Sequence, residues 1–268
     1  MAPMPRPSVG TFPARAVASL LAFVLLLVSL SSSLAAQTRP AAGKAPAAPK
    51  LPKPGAAVSI LFVGNSYTQF HDLPAMVRAL GRAQQPERTV TTVAITPGGC
   101  TLQQHWDATG ADAPRTHLQD RRFDYVVLQE QSRRPLDEPQ RLHEYAAKFA
   151  ALVVEKKAVP VWYMTWARAN EPEAQDRLSA AYGKAQQDGG GLLAPVGRAW
   201  QQLLAEAPPL PLHEADGSHP NVRGTYVAAC VLYATMCGGD VAKFPDRLGT
   251  TISDARDDDA LSSQQRLR

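Results

Sequence analysis

A chain of 268 residues, 45% hydrophobic and 19% charged, holds enough apolar material for one α/β domain with a sizeable core. The formal net charge of +4 drops to +2 when Arg6 and Arg15 of the N-terminal segment are set aside, leaving 26 basic against 24 acidic residues, too small a surplus to select nucleic acid or another polyanion as partner. Three cysteines, Cys100, Cys230 and Cys237, are too few for a disulfide framework; the last two fall on one predicted helix, roughly 10 Å apart and beyond disulfide reach.

Residues 1–36 carry Arg6 and Arg15, then the apolar run AVASLLAFVLLLVSL, then small residues. That is the pattern of a secretory signal peptide, with cleavage expected after Ala35 or Ala36 and an exported domain, periplasmic or secreted, as the consequence. The alternative is an uncleaved anchor, since apolar and small residues continue to Ala36 and approach the roughly 20 that a membrane span needs. A membrane is a partner only in that case. Residues 37–57 are rich in Pro, Ala and Lys and read as an extended linker, whereas the stretch from 247 to 268, with Asp257, Asp258 and Asp259, reads as a polar, solvated tail. The folded domain is then 58–246.

Within it, short apolar runs at 58–63, 89–95, 123–128, 159–165 and 191–196 predict strands, most of them rich in β-branched or aromatic residues. Amphipathic stretches at 73–84, 102–121, 139–157, 173–187, 198–205 and 222–236 predict helices. The alternation implies a five-stranded parallel sheet covered on both faces, a doubly wound, flavodoxin-like three-layer α/β/α sandwich. Ligands bind such sheets beyond the carboxyl ends of the strands.

The loops at those ends carry the polar residues of interest. The first strand runs into Gly64-Asn65-Ser66-Tyr67, a sharp turn that presents a serine hydroxyl and its backbone N–H, or alternatively a plain turn in which Ser66 bonds its own backbone. After the second strand, Gly98-Gly99 allows backbone N–H groups to approach a ligand, as it also allows an ordinary loop. After the third come Gln129-Glu130-Gln131-Ser132, hydrogen-bonding groups or a solvated loop. Before the last helix stands Asp216-Gly217-Ser218-His219-Pro220: a carboxylate three residues ahead of a histidine can fix the Nδ1 tautomer and leave Nε2 to take a proton from a hydroxyl. Two other readings stay open, a turn cap at Asp216 and a metal site at His213, Glu214, Asp216 and His219, although the histidines lack the i, i+4 spacing of a helical ligand pair.

Together these four blocks resemble the SGNH (GDSL-like) hydrolases, in the right order and each after the expected strand, over about 58–238. Gly64-Asn65-Ser66 looks like the family's Gly-Asp-Ser, Gly99 like its second-block glycine, and Asp216 and His219 like its Asp-x-x-His; Gln131 stands where the family has asparagine. The resemblance implies a serine esterase with Ser66 as nucleophile, His219 as base and then acid, and Asp216 orienting it. It also implies an oxyanion hole of the Ser66 and Gly99 N–H groups and the Gln131 amide, with no metal or organic cofactor. Asn65 replaces the family aspartate, and Gln131 is one methylene longer than asparagine, so its amide has to reach the oxyanion by a different path. The chain lacks the Gly-x-Ser-x-Gly elbow of the α/β-hydrolases.

Family substrates include acetylated sugars, lysophospholipids and short acyl esters. Tyr67, Trp106, Trp162, Tyr163 and Trp166 lie at or near strand ends, where aromatic rings can stack on sugars, which favours a carbohydrate O-acetylesterase; Tyr67, Gln129 and Trp166 are the candidate substrate-lining residues. The alternatives are a non-catalytic glycan- or partner-binding surface protein on the same fold and an acyltransferase sharing the acyl-enzyme.

Overall fold

The computed structural model of the chain describes residues 51–53, 55–206, 211–239 and 244–245. The expected signal peptide, most of the linker and the polar tail lie outside the described residues.

Five parallel strands form one sheet, β1 (Val58–Val63), β2 (Val90–Ile95), β3 (Tyr125–Leu128), β4 (Val159–Tyr163) and β5 (Leu192–Ala194), in the spatial order β2-β1-β3-β4-β5. This is the flavodoxin-like order. Successive side chains point to opposite faces, so each strand feeds two cores. On one face Ile60, Phe62, Tyr125, Val127, Val161 and Tyr163 meet α2 (Leu73–Gln84), α8 (Val196–Glu206) and α9 (Val222–Cys237). On the other, Leu61, Val63, Val126, Leu128 and Trp162 meet α3 (Leu102–Asp107), α4 (Pro114–Asp120), α6 (Pro139–Glu155) and α7 (Gln175–Gly189). Burial on both faces explains why β3 and β4 read as unbroken apolar runs and β1 departs from one only at part-buried Ser59, while edge strand β2, only part-buried, tolerates Thr91 and Thr92. Two short helices, α1 (Ser66–Gln69) and α5 (Arg134–Asp137), follow β1 and β3.

The helix expected at 102–121 is two helices. Gly110, with φ +95°, interrupts the chain between them, and Pro114 at the start of α4 fits only a new first turn.

Register decides where the chemistry collects. Val63 of β1 lies opposite Ile95 of β2 and Leu128 of β3, so the three strands end flush. Gly64, Thr96 and Gln129 therefore leave the sheet side by side, at the β1/β3 switch point where the connections diverge and a crevice opens.

Candidate active site

The serine turn is built by the strand beside it. Asn65 is the N-cap of α1: its Oδ1 accepts from Tyr67 N–H at 3.1 Å and its Nδ2 donates to the Cys100 carbonyl at 2.9 Å. Gln129, wholly buried, accepts at Oε1 from Asn65 N–H and from the Thr68 hydroxyl, each at 2.9 Å, and returns Nε2 to Asn65 Oδ1 at 3.0 Å. Gly64 must be glycine, because a Cβ there would sit 2.6 Å from both Gln129 Oε1 and Thr68 Oγ1. Behind the turn, buried His105 donates from Nε2 to the Gly64 carbonyl at 2.7 Å, and burial lowers its pKa despite that bond.

The second loop folds as a turn closed by Cys100 N–H on the Pro97 carbonyl at 3.2 Å, with Gly99 at φ +67°, the left-handed conformation that the third residue of a type II turn requires. Thr101 then opens α3 with a capping box to Gln104. After β3, the Gln131 Oε1 accepts from Arg133 N–H at 2.7 Å and Arg134 N–H at 3.0 Å, capping α5. Gly99 and Gln131 line one cleft of about 520 Å³, together with Gln103, Arg133 and Arg134. The backbone N–H groups of Ser66 and Gly99 and the Gln131 Nε2 find no acceptor among the described residues.

The histidine arrives on a hairpin. Antiparallel pairing of His213 with Pro220 and the bonds Glu214 N–H to His219 O and Asn221 N–H to Leu212 O close it, at 2.8 and 2.9 Å. Asn221 anchors its base by donating to the carbonyls of Pro211 and His213 while capping α9 through Arg223 and Gly224 N–H. At the tip, Asp216 Oδ1 accepts from the N–H groups of Ser218 and His219, both at 2.9 Å, and Oδ2 accepts from His219 Nδ1 at 2.5 Å. The imidazole bond and those backbone donors hold the Asp216 pKa down at about 2. An ionised carboxylate only accepts, so Nδ1 carries the proton and Nε2 is left as acceptor. Ser66 Oγ lies 2.9 Å from that Nε2 and donates to it.

Three aromatic side chains set the pose of this arm. Phe70 stacks on the His219 ring at 4.4 Å and 13°, and Tyr67 meets it edge-on at 5.6 Å. Phe70 is turned onto the ring by a segment in which His71 and Asp72 both have φ +52°, strain of order 1–3 kcal/mol per residue held beside the site. Ser218 is gripped twice, its Oγ by the Tyr67 hydroxyl at 2.7 Å and its carbonyl by Trp166 Nε1 at 3.0 Å.

The sequence-derived residues therefore divide. Ser66, Asp216 and His219 come together in one hydrogen-bonded chain, and Gly99 and Gln131 share a cleft lined by other residues. The substrate-lining expectation is corrected. Tyr67 and Trp166 are 3% and 2% exposed and stack on each other at 4.7 Å, Trp166 continuing onto Trp200 at 3.9 Å, and Gln129 is spent on the serine turn. Trp162 and Tyr163 are core residues, and half-buried Trp106 packs on Phe149 beneath Arg115. The four-residue metal grouping separates as well, His213 bonding the Ala167 carbonyl at 3.0 Å and Glu214 pairing with His71 at 3.2 Å. Among the described residues no cluster of three metal-ligating side chains forms. Cys100 is free and burial pushes its thiol up to about 11, so it remains protonated. Sequence reasoning missed the parts played by Phe70, Ser218, Glu130 and Asn65, although the last three lie within polar blocks that it singled out.

Comparison with known proteins defines the class. No family model matches the sequence, and no curated protein does. Among solved structures, a Slackia heliotrinireducens protein provisionally assigned to the SGNH hydrolases is 30% identical, with a TM-score of 0.57, over 67% of this chain and 99% of its own. A DUF4886 family protein from Bacteroides uniformis is 18% identical over 79% of this chain and 100% of its own, TM-score 0.57. Axe2, an acetylxylan esterase from Geobacillus stearothermophilus, is 20% identical over 66% and 93%, TM-score 0.51. The last two share the fold. The first shows the family: the chain belongs to the SGNH hydrolases, a class of ester-hydrolysing enzymes, and is an enzyme of that class.

Proposed function

We propose that this SGNH hydrolase is an exported serine esterase that cleaves carboxylic esters through an acyl-enzyme, with O-acetylated carbohydrates as its substrate class. The observation that carries the reading is the continuous chain from Ser66 Oγ to His219 Nε2 and from His219 Nδ1 to Asp216.

The chemistry follows from the tautomer. His219 Nε2 takes the Ser66 proton as Oγ attacks the acyl carbon, and the imidazolium that forms is stabilised by ionised Asp216. The same Nε2–H then protonates the leaving alcohol. Water attacks the acyl-enzyme with His219 again as base, releasing the acid and restoring Ser66. In both steps the oxyanion is held by the Ser66 and Gly99 N–H groups and the Gln131 amide.

The substrate class rests on openness and polarity. His219 and Asp216 keep 29% and 49% of their side chains exposed, which accommodates a bulky alcohol, and the cleft that Gly99 and Gln131 share is lined by polar and charged side chains suited to hydroxyls. Support also comes from Axe2, which acts on acetylxylan. Export rests on residues 1–36 alone, and intact-mass measurement on the exported protein tests it: a start at Ala36 or Gln37 is expected, and retention of residues 1–35 in membranes would favour the anchor.

The main test uses purified protein against nitrophenyl esters of increasing acyl length alongside acetylated polysaccharides. Acetate release from the polysaccharide and a fall in kcat/KM with acyl length are expected. Product analysis with and without a sugar acceptor separates hydrolase from transferase. A fluorophosphonate should label Ser66, and labelling elsewhere removes the assignment.

A further inference from the structure

Resting on that reading of Ser66 and its oxyanion donors, we infer that Glu130 is a positioning residue that locks the Gly99 loop and the Gln131 loop to each other. Its Oε1 accepts two backbone N–H groups from two different loops: Leu102 N–H, at the first position of α3, at 3.1 Å, and Gln131 N–H at 2.7 Å. Leu102 lies three residues beyond Gly99. One carboxylate oxygen therefore spans the two arms that have to converge on the oxyanion.

The other contact between these two segments, Arg134 Nη1 donating to Gln103 Oε1 at 3.2 Å, joins part-buried side chains, and Glu130 is the buried link. Asn65 Nδ2 on the Cys100 carbonyl ties the serine turn to the Gly99 loop, and Gln129 ties the serine turn to the end of β3. Those two side chains close two sides of a triangle whose corners are the serine turn, the Gly99 loop and the loop after β3. Glu130 closes the third. Its own backbone is fixed as well, since its N–H donates to the Tyr182 hydroxyl at 3.2 Å in the core beneath the sheet edge.

A bare structural carboxylate is a costly choice here. Glu130 is 1% exposed, and burial raises its pKa, partly offset by the two N–H bonds and by Arg134. An apolar side chain of the same volume avoids that desolvation but leaves two N–H groups without acceptors at the point where loop geometry decides donor placement. Preorganised donors act only if they stand within a fraction of an ångström of the developing charge.

The test compares Glu130→Met, Glu130→Asp and Glu130→Gln in the full chain, with kcat and KM measured on nitrophenyl acetate and thermal melts as the fold control. Met removes the acceptor, Asp keeps the charge but withdraws the acceptor by one methylene, and Gln keeps an oxygen at Oε1. If the carboxylate oxygen sets the donors, Met and Asp lower kcat roughly 10- to 100-fold with KM within about twofold, and Gln recovers kcat to within about threefold of wild type. Should Met fail to fold, the Asp and Gln pair decides. Asp at wild-type kcat, or Gln as impaired as Asp, overturns the role. Fluorophosphonate labelling of the wild type keeps the two claims apart: turnover without modification of Ser66 overturns the parent reading together with this one, whereas labelled Ser66 with an unimpaired Asp variant overturns only the part given to Glu130.

Discussion

The two arms of the site are held by opposite means. The serine turn is buried and long-range: Asn65 and Thr68 are 2% and 1% exposed, and their partners Gln129 and Cys100 arrive from β3 and from the loop after β2. The Asp216–His219 hairpin is solvent-facing and mostly local, its carboxylate bonded only within the next three residues and its histidine resting on Phe70. Ser66 is thus placed by the folding of the sheet itself, and His219 by a small hairpin docked on an aromatic slab. Damage to the hairpin tip should fall mainly on chemistry. Damage beneath the serine should fall on folding and chemistry together.

The largest effect that tests this contrast is His219→Ala. Base, acid and nucleophile activation act as one unit, so kcat should fall roughly 10⁴- to 10⁶-fold, while stability changes by no more than about 1 kcal/mol because the side chain is at the surface. Steady-state kinetics paired with urea denaturation reads both numbers, and a strongly destabilised variant would erase the distinction between the arms. Next comes Gln131, which belongs to neither arm. Its Oε1 accepts from two N–H groups at the start of α5, and the proposed oxyanion role falls to its Nε2, so on that proposal the side chain has two jobs. Gln131→Glu keeps the capping oxygen and deletes the donor; kcat should drop at least roughly 100-fold with little change in melting temperature. Unchanged turnover would assign Gln131 to the loop alone.

Below the serine the balance reverses. Gln129→Leu leaves the Asn65 N–H and Thr68 hydroxyl buried without their acceptor, at about 1–3 kcal/mol each, so a loss of about 2–6 kcal/mol is expected by denaturant titration. Turnover should fall as well, through displacement of Ser66. A stable protein with normal kcat would mean the turn holds itself.

How much of this was legible beforehand follows the same division. The parallel, doubly wound sheet and four of the five strand starts to within a residue were carried by hydrophobic period and the alternation of elements, and the break in 102–121 was foreshadowed by Gly110 and Pro114. The hairpin residues Asp216 and His219 were visible because their relation is a local spacing. From the residues alone Gln129, Glu130 and Gln131 read as a polar run, and the family resemblance singled out Gln131. Which of the three turns inward depends on the side of β3 each leaves, and on partners 28 to 64 residues away, as in the Leu102 to Glu130 and Asn65 to Gln129 bonds. Tyr67 and Trp166 misled for a related reason. A ring at a strand end looks the same in sequence whether it faces a ligand or, as here, another ring.

The smallest effect, and the sharpest, sets one carboxylate of each region against the other. Asp216 is held well below its ordinary value of 3.8, at about 2, chiefly by its bond from His219. A depressed acid contributes stability that is present above pH 3.8 and is lost as the pH falls through about 2. Glu130 is raised above its ordinary 4.5 by burial, so the folded protein binds its proton more tightly than the unfolded chain, and stability is lost as the pH climbs through the folded pKa. The two substitutions should therefore have pH dependences of opposite sign. The melting temperature of Asp216→Asn, relative to wild type, should be lower at pH 7 and converge as the pH falls toward 2. That of Glu130→Gln, relative to wild type, should be higher at pH 7 than at pH 4, because the amide carries no charge to desolvate. Melts of the three proteins across this range measure both slopes. Parallel curves for Glu130→Gln and wild type would mean that the carboxylate is effectively solvated, and with it would go the contrast between an arm set by the core and an arm set by its own turn.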